Sequence, residues 1–60
     1  MDEFKKLVAN LNQNFAEFQK DAAAQVENGN KAAGARARKT SLAIEKALKE
    51  FRKVSIESAK

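Results

Sequence analysis

The side chains best suited to a chemical task lie in the second half of this chain. Arg36-Ala37-Arg38-Lys39 sets three bases close together, and Arg52-Lys53 adds two more about four helical turns later. Lys31, Lys46 and Lys49 extend the series. Guanidinium and ammonium groups in such number neutralise phosphates and release the counterions condensed on a polyanion. The resulting affinity falls steeply with salt.

Other chemistry is poorly supplied. The chain has no histidine, cysteine, tyrosine or tryptophan, so no catalytic residue is assigned and neither a cofactor nor a small-molecule substrate is expected. Transition-metal ligands are missing for the same reason. Glu17 and Asp21, one helical turn apart, would make a weak site for a hard cation and read more simply as a solvated face. Gly29 and Gly34 match neither the P-loop nor the dinucleotide fingerprint. All four aromatics are phenylalanines on apolar seams, which leaves no ring to stack on unpaired bases. Asparagine and glutamine, the readers of base edges, fall mainly in the first half and at residues 28–30, so little sequence specificity is expected. Thr40 and Ser41 follow the basic cluster, where a phosphate would cancel charge; by period Thr40 faces the packing seam and Ser41 borders it.

Charge is divided between the halves. Residues 1–28 hold three lysines against five carboxylates, a net of −2, whereas residues 29–60 hold nine bases against three carboxylates, a net of +6. The split points to a polyanionic partner for the second half. Sixty residues bury only about 60% of the surface an unfolded chain exposes, and neither disulfides nor zinc can stiffen this one, so self-association is the expected support. Every apolar stretch is interrupted within a few residues, far short of the roughly 20 needed to cross a bilayer. With no leader pattern after Met1, the expectation is a soluble, cytoplasmic protein without a membrane partner.

The elements that position these bases are helices. Proline is absent, glycine occurs twice, and alanine, lysine, glutamate and leucine abound. Phe4, Val8, Leu11, Phe15, Phe18 and Ala22 recur at steps of four and three, with Leu7 and Val26 beside the row, predicting a helix over residues 2–27. Asn28-Gly29-Asn30 predicts the turn, since glycine can close one helix and asparagine cap the next. A second helix over 31–58 gathers Ala33, Ala37, Thr40, Ile44, Ala47, Leu48, Phe51, Val54 and Ser55 on one side. The small residues near the turn, Gly34 among them, allow close approach, so phenylalanines of the first helix are expected to meet alanines of the second or of another copy. The opposite side collects Lys31, Arg38, Lys39, Lys46, Lys49, Lys53 and Lys60 in a stripe about 40 Å long, with Arg36 and Arg52 on its flanks. Leu42 and Ile56 sit within it, fourteen residues apart, without a partner inside a two-helix hairpin. Glu45 to Lys49 and Lys46 to Glu50 are spaced for pairs that support the helix.

The run Gly29-Asn30-Lys31-Ala32-Ala33-Gly34-Ala35-Arg36-Ala37-Arg38-Lys39-Thr40-Ser41-Leu42 continues through Ile44-Glu45-Lys46 and Lys49-Glu50-Phe51-Arg52-Lys53-Val54-Ser55. It resembles the bacterial linker-histone-like family, of the chlamydial histone-like type, in its G-N-K-A-A segment, R-x-R pair, I-E-K step and F-R-K step with a nearby serine. The resemblance covers residues 29–56; the first helix matches only in general character. It implies an abundant nucleoid protein that binds and compacts double-stranded DNA with little sequence preference, and it carries DNA contact onto Lys31, Arg36, Arg38, Lys39, Arg52 and Lys53. Chlamydial members continue into a lysine- and alanine-rich tail, whereas the sequence here stops at Lys60, so compaction is expected to depend on oligomers displaying several basic helices.

These readings converge on an all-α, antiparallel two-helix hairpin spanning residues 1–60 that assembles into a dimeric four-helix bundle or larger oligomer. Its expected function is histone-like binding of duplex DNA through phosphate contacts at Lys31, Arg36, Arg38, Lys39, Lys46, Lys49, Arg52 and Lys53, with compaction or bridging as an oligomer in the nucleoid. Core and oligomer contacts are assigned to Phe4, Val8, Leu11, Phe15, Phe18, Ile44, Leu48 and Phe51. The competing reading is a helical protein–protein assembly module without nucleic-acid binding, its bases serving solubility. Membrane-surface binding by the second helix is weaker, because the apolar face it needs is used against the first.

Overall fold

A computed structural model describes residues 2–59. It contains two helices, α1 (Asp2–Asn28) and α2 (Lys31–Ser58), and no strand among the described residues. Asp2 and Glu3 occupy the first turn of α1, where carboxylates suit the positive end of the helix dipole. Alanine-rich sequence without proline then lets the helix run to Asn28, one residue past the expected end at Glu27.

The turn is held by specific backbone and side-chain groups. Gly29 takes φ 65°, and its N–H donates to the Gln25 carbonyl at 2.9 Å, closing α1 in the left-handed manner that favours glycine. The Asn30 N–H reaches back to the Ala24 carbonyl at 3.4 Å. Asn30 is itself extended and caps α2, its Oδ1 accepting from the Ala33 N–H at 3.0 Å. The first turn of α2 holds Lys31 and no carboxylate, so the positive helix end adds to the field of the bases instead of being offset.

The chain doubles back through this turn, and the helices pack antiparallel along their length. Near the turn they come very close: a Cβ on Gly34 would lie 2.5 Å from the Gln25 side-chain amide. Ala33, Gly34 and Ala37 are buried there, and Leu11 and Ile44 are buried farther along. All nine α2 residues expected on the packing side are buried or half-buried. At the open end Phe4 meets Phe51, with ring centroids 5.7 Å apart and planes tilted by 39°. That aromatic pair, a favoured geometry worth about 1 kcal/mol, replaces the expected phenylalanine–alanine contact for Phe4.

The seam of α1 is less fully covered than its periodicity suggests. Phe4, Leu7, Val8, Phe18 and Ala22 are half-buried, whereas Phe15 is 38% exposed and Val26 84% exposed. Val26 lies beside the seam, two residues before the end of α1. The hairpin measures 46 × 15 × 12 Å with a radius of gyration of 13.8 Å, against about 10 Å for a compact globule of this length. It is a rod, and a rod of two helices has two partly open flanks.

Candidate nucleic-acid interface

Packing one side of α2 on α1 fixes where the other side points. Lys31, Arg36, Arg38, Lys39, Lys46, Lys49, Arg52 and Lys53 are all exposed. With 1.5 Å rise per residue, Lys31 and Lys53 stand about 33 Å apart along one rigid element. Among the described residues, only Arg36 and Lys49 of these eight bases have a carboxylate within 4 Å.

Two bases are engaged. The Arg36 Nε donates to the Asp21 Oδ1 at 3.3 Å, across the two helices; the Asp21 side chain is 16% exposed and that of Arg36 59%. Asp21 is therefore neither part of a solvated face with Glu17 nor a cation ligand: α2 covers it and presents it with a guanidinium. Lys49 Nζ stands 4.0 Å from Glu45 Oε1, one turn earlier, an exposed pair of the expected kind. The Ser41 hydroxyl donates to the Arg38 carbonyl at 2.6 Å, satisfying itself within the helix on the border of the basic stripe.

The residues assigned to the core separate into two groups. Leu11 and Ile44 are buried, and Phe4, Val8, Phe18, Leu48 and Phe51 are half-buried, but Phe15 opens onto a shallow hollow shared with Phe18, Gln19, Ser41 and Ile44. A second hollow, at the open end, is lined by Asp2, Glu3, Phe4, Val54, Glu57 and Ser58. No group of three or more metal-ligating side chains occurs among the described residues. No helix there is long and apolar enough to cross a membrane. Sequence reasoning missed Asp21 and Gln25 as cross-helix contacts. The signal was the turn itself, since a hairpin closing at Gly29 and Asn30 sets residues 21 and 25 opposite 36 and 34.

The hairpin is thus a two-helix rod with an apolar seam inside and exposed bases outside. Comparison with known families makes the class specific: the family model of the histone H1-like protein Hc1 matches residues 5–60. The chain belongs to this histone H1-like family, a family of DNA-binding architectural proteins and not of enzymes. The match includes most of α1, beyond the stretch on which the sequence resemblance rested. No curated protein and no solved structure gives a match.

Proposed function

We propose that the chain binds double-stranded DNA in the nucleoid through phosphate contacts made by the outer face of α2, with little preference for sequence. The observation that carries this reading is the row of exposed bases, Lys31, Arg38, Lys39, Lys46, Lys49, Arg52 and Lys53, on a single rigid helix whose opposite side is occupied by α1, with Arg36 turned toward Asp21. Cations so placed meet a phosphate backbone without rearrangement of the fold. Amide side chains, the usual readers of base edges, lie chiefly on α1 and at the turn.

Compaction or bridging follows if several hairpins act together. The partly open seam supports self-association: Phe15 at 38% exposure, with Phe18 and Ile44 beside it, gains from a second copy what two helices alone do not cover. Sedimentation at micromolar concentration tests this step, and a folded monomer would remove it.

The binding itself is tested by measuring affinity for unrelated duplexes across a salt series. With six to eight phosphates engaged, the slope of log affinity against log salt should lie at about −5 to −7. A flat response, or strong preference for one sequence, would overturn the proposal. Retention of a protein partner without duplex binding at moderate salt would favour an assembly module.

A further inference from the structure

Leu42 and Ile56 lie on the outer face of α2, 63% and 65% exposed, on the side away from α1. Separated by fourteen residues, they fall on nearly the same line of the helix, with Lys49 midway between them. On one shoulder of that line stand Lys39, Lys46 and Lys53; Arg38 and Arg52 lie toward the other, where Glu45 pairs with Lys49. The face is thus an aliphatic ridge with cations to either side.

A second copy does not suit this ridge. In either register that aligns the aliphatics, parallel or antiparallel, Lys49 would meet Lys49, and each copy would bring Arg38, Lys39, Lys46, Lys49, Arg52 and Lys53 against Glu45, Glu50 and Glu57, six bases to three carboxylates. Like charge opposes that contact. The ridge calls for a polyanion with an apolar strip between two rows of negative charge.

We propose that α2 enters the major groove of duplex DNA, with Leu42 and Ile56 against the groove floor and the flanking bases on the two phosphate walls. This rests on the duplex-binding reading above and adds to it where the helix lies. The major groove is about 12 Å wide and admits an α-helix, and its floor carries thymine methyl groups that aliphatic side chains can contact. The two aliphatics are about 21 Å apart along α2. Two such contacts at any accessible thymine favour A·T-containing steps only slightly, in keeping with low sequence preference.

The test pairs groove protection with affinity. Bound protein should protect guanine N7, which lies in the major groove, from methylation by dimethyl sulfate, and leave adenine N3 in the minor groove reactive. Leu42→Ala with Ile56→Ala should lower duplex affinity at fixed salt by about tenfold while leaving the salt slope unchanged. Helicity should be kept, since both positions are exposed and alanine favours helices. Unchanged affinity in the folded variant, or protection of adenine N3 in place of guanine N7, would overturn the groove assignment while leaving duplex binding intact. So would a fall in oligomer mass, or lost capture by phosphatidylserine vesicles, if either came with unchanged duplex affinity. Wild-type protein that shows no salt-dependent duplex binding would overturn the functional reading and this one together.

Discussion

Arg36 faces two claims on its charge, and replacing Asp21 by asparagine should separate them. In the free hairpin the guanidinium bonds Asp21 at 3.3 Å, across the helix pair, with the arginine side chain 59% exposed. An ion pair so open to water is worth about 0.5 kcal/mol. Asp21→Asn should therefore lower the melting temperature by about 2–4 °C, which circular dichroism can measure. The same change frees one guanidinium for phosphate. One further contact steepens the log–log salt slope by about 0.9, so the loss of affinity between about 50 and 200 mM salt should grow about three- to fourfold. A fluorescence titration of a labelled duplex over that range reads the slope directly. Removing a carboxylate also weakens general repulsion, and a cycle distinguishes the two effects: on an Arg36→Gln background, Asp21→Asn should leave the slope where it was. If the melting temperature falls but the slope stays at the wild-type value, Arg36 does not reach DNA and drops out of the interface. If the slope steepens equally on both backgrounds, the effect is one of overall charge.

Three other changes bear on the interface and on the fold beneath it. Arg36→Ala, Arg38→Ala and Lys39→Ala together should reduce the salt slope by about two units, from Arg38 and Lys39, with helicity intact, since Asp21 already engages Arg36; unchanged binding in a shift assay would refute the site. Gly29→Ala has open space around the new Cβ but must adopt φ 65°, so urea melts should show a loss of about 1 kcal/mol from backbone strain alone. Ile44→Ala empties one of the few well-covered positions of the seam and should cost about 3 kcal/mol, enough to leave much of so small a protein unfolded at 37 °C.

The helices were legible because their signals are local. The steps of four and three from Phe4 to Ala22 and the nine-residue seam of α2 follow from helical geometry alone, and Gly29 with Asn30 supplies the chemistry of a turn. Contacts between the helices were harder to see, because they depend on register across the turn. Asp21 reads as solvated beside Glu17 until Arg36, fifteen residues on, is brought against it. Phe4 likewise finds Phe51 and not an alanine, since the bulky ends of both seams coincide at the open end of the hairpin. The bases were legible as a row, but their pairing was not: only the fold shows that, among the described residues, α1 engages Arg36 through Asp21. Leu42 and Ile56 declared themselves in the sequence as residues out of place, and what they touch depends on what lies beyond the hairpin.

The 46 Å length of the rod sets a limit on what a coating of such rods can do to DNA electrostatically. Laid lengthwise, one hairpin spans about 27 phosphates at about 1.7 Å of duplex per charge. Its formal net charge of +4 offsets only about one-seventh of them. A single file of hairpins would therefore leave the duplex strongly anionic, and two coated segments would still repel. Drawing segments together requires that rods be stacked around the girth of the duplex, or that assembled rods turn their basic faces toward different duplexes. If the hairpin binds duplex DNA as proposed, local protein density per base pair, more than affinity, would then decide whether duplexes are merely coated or drawn together.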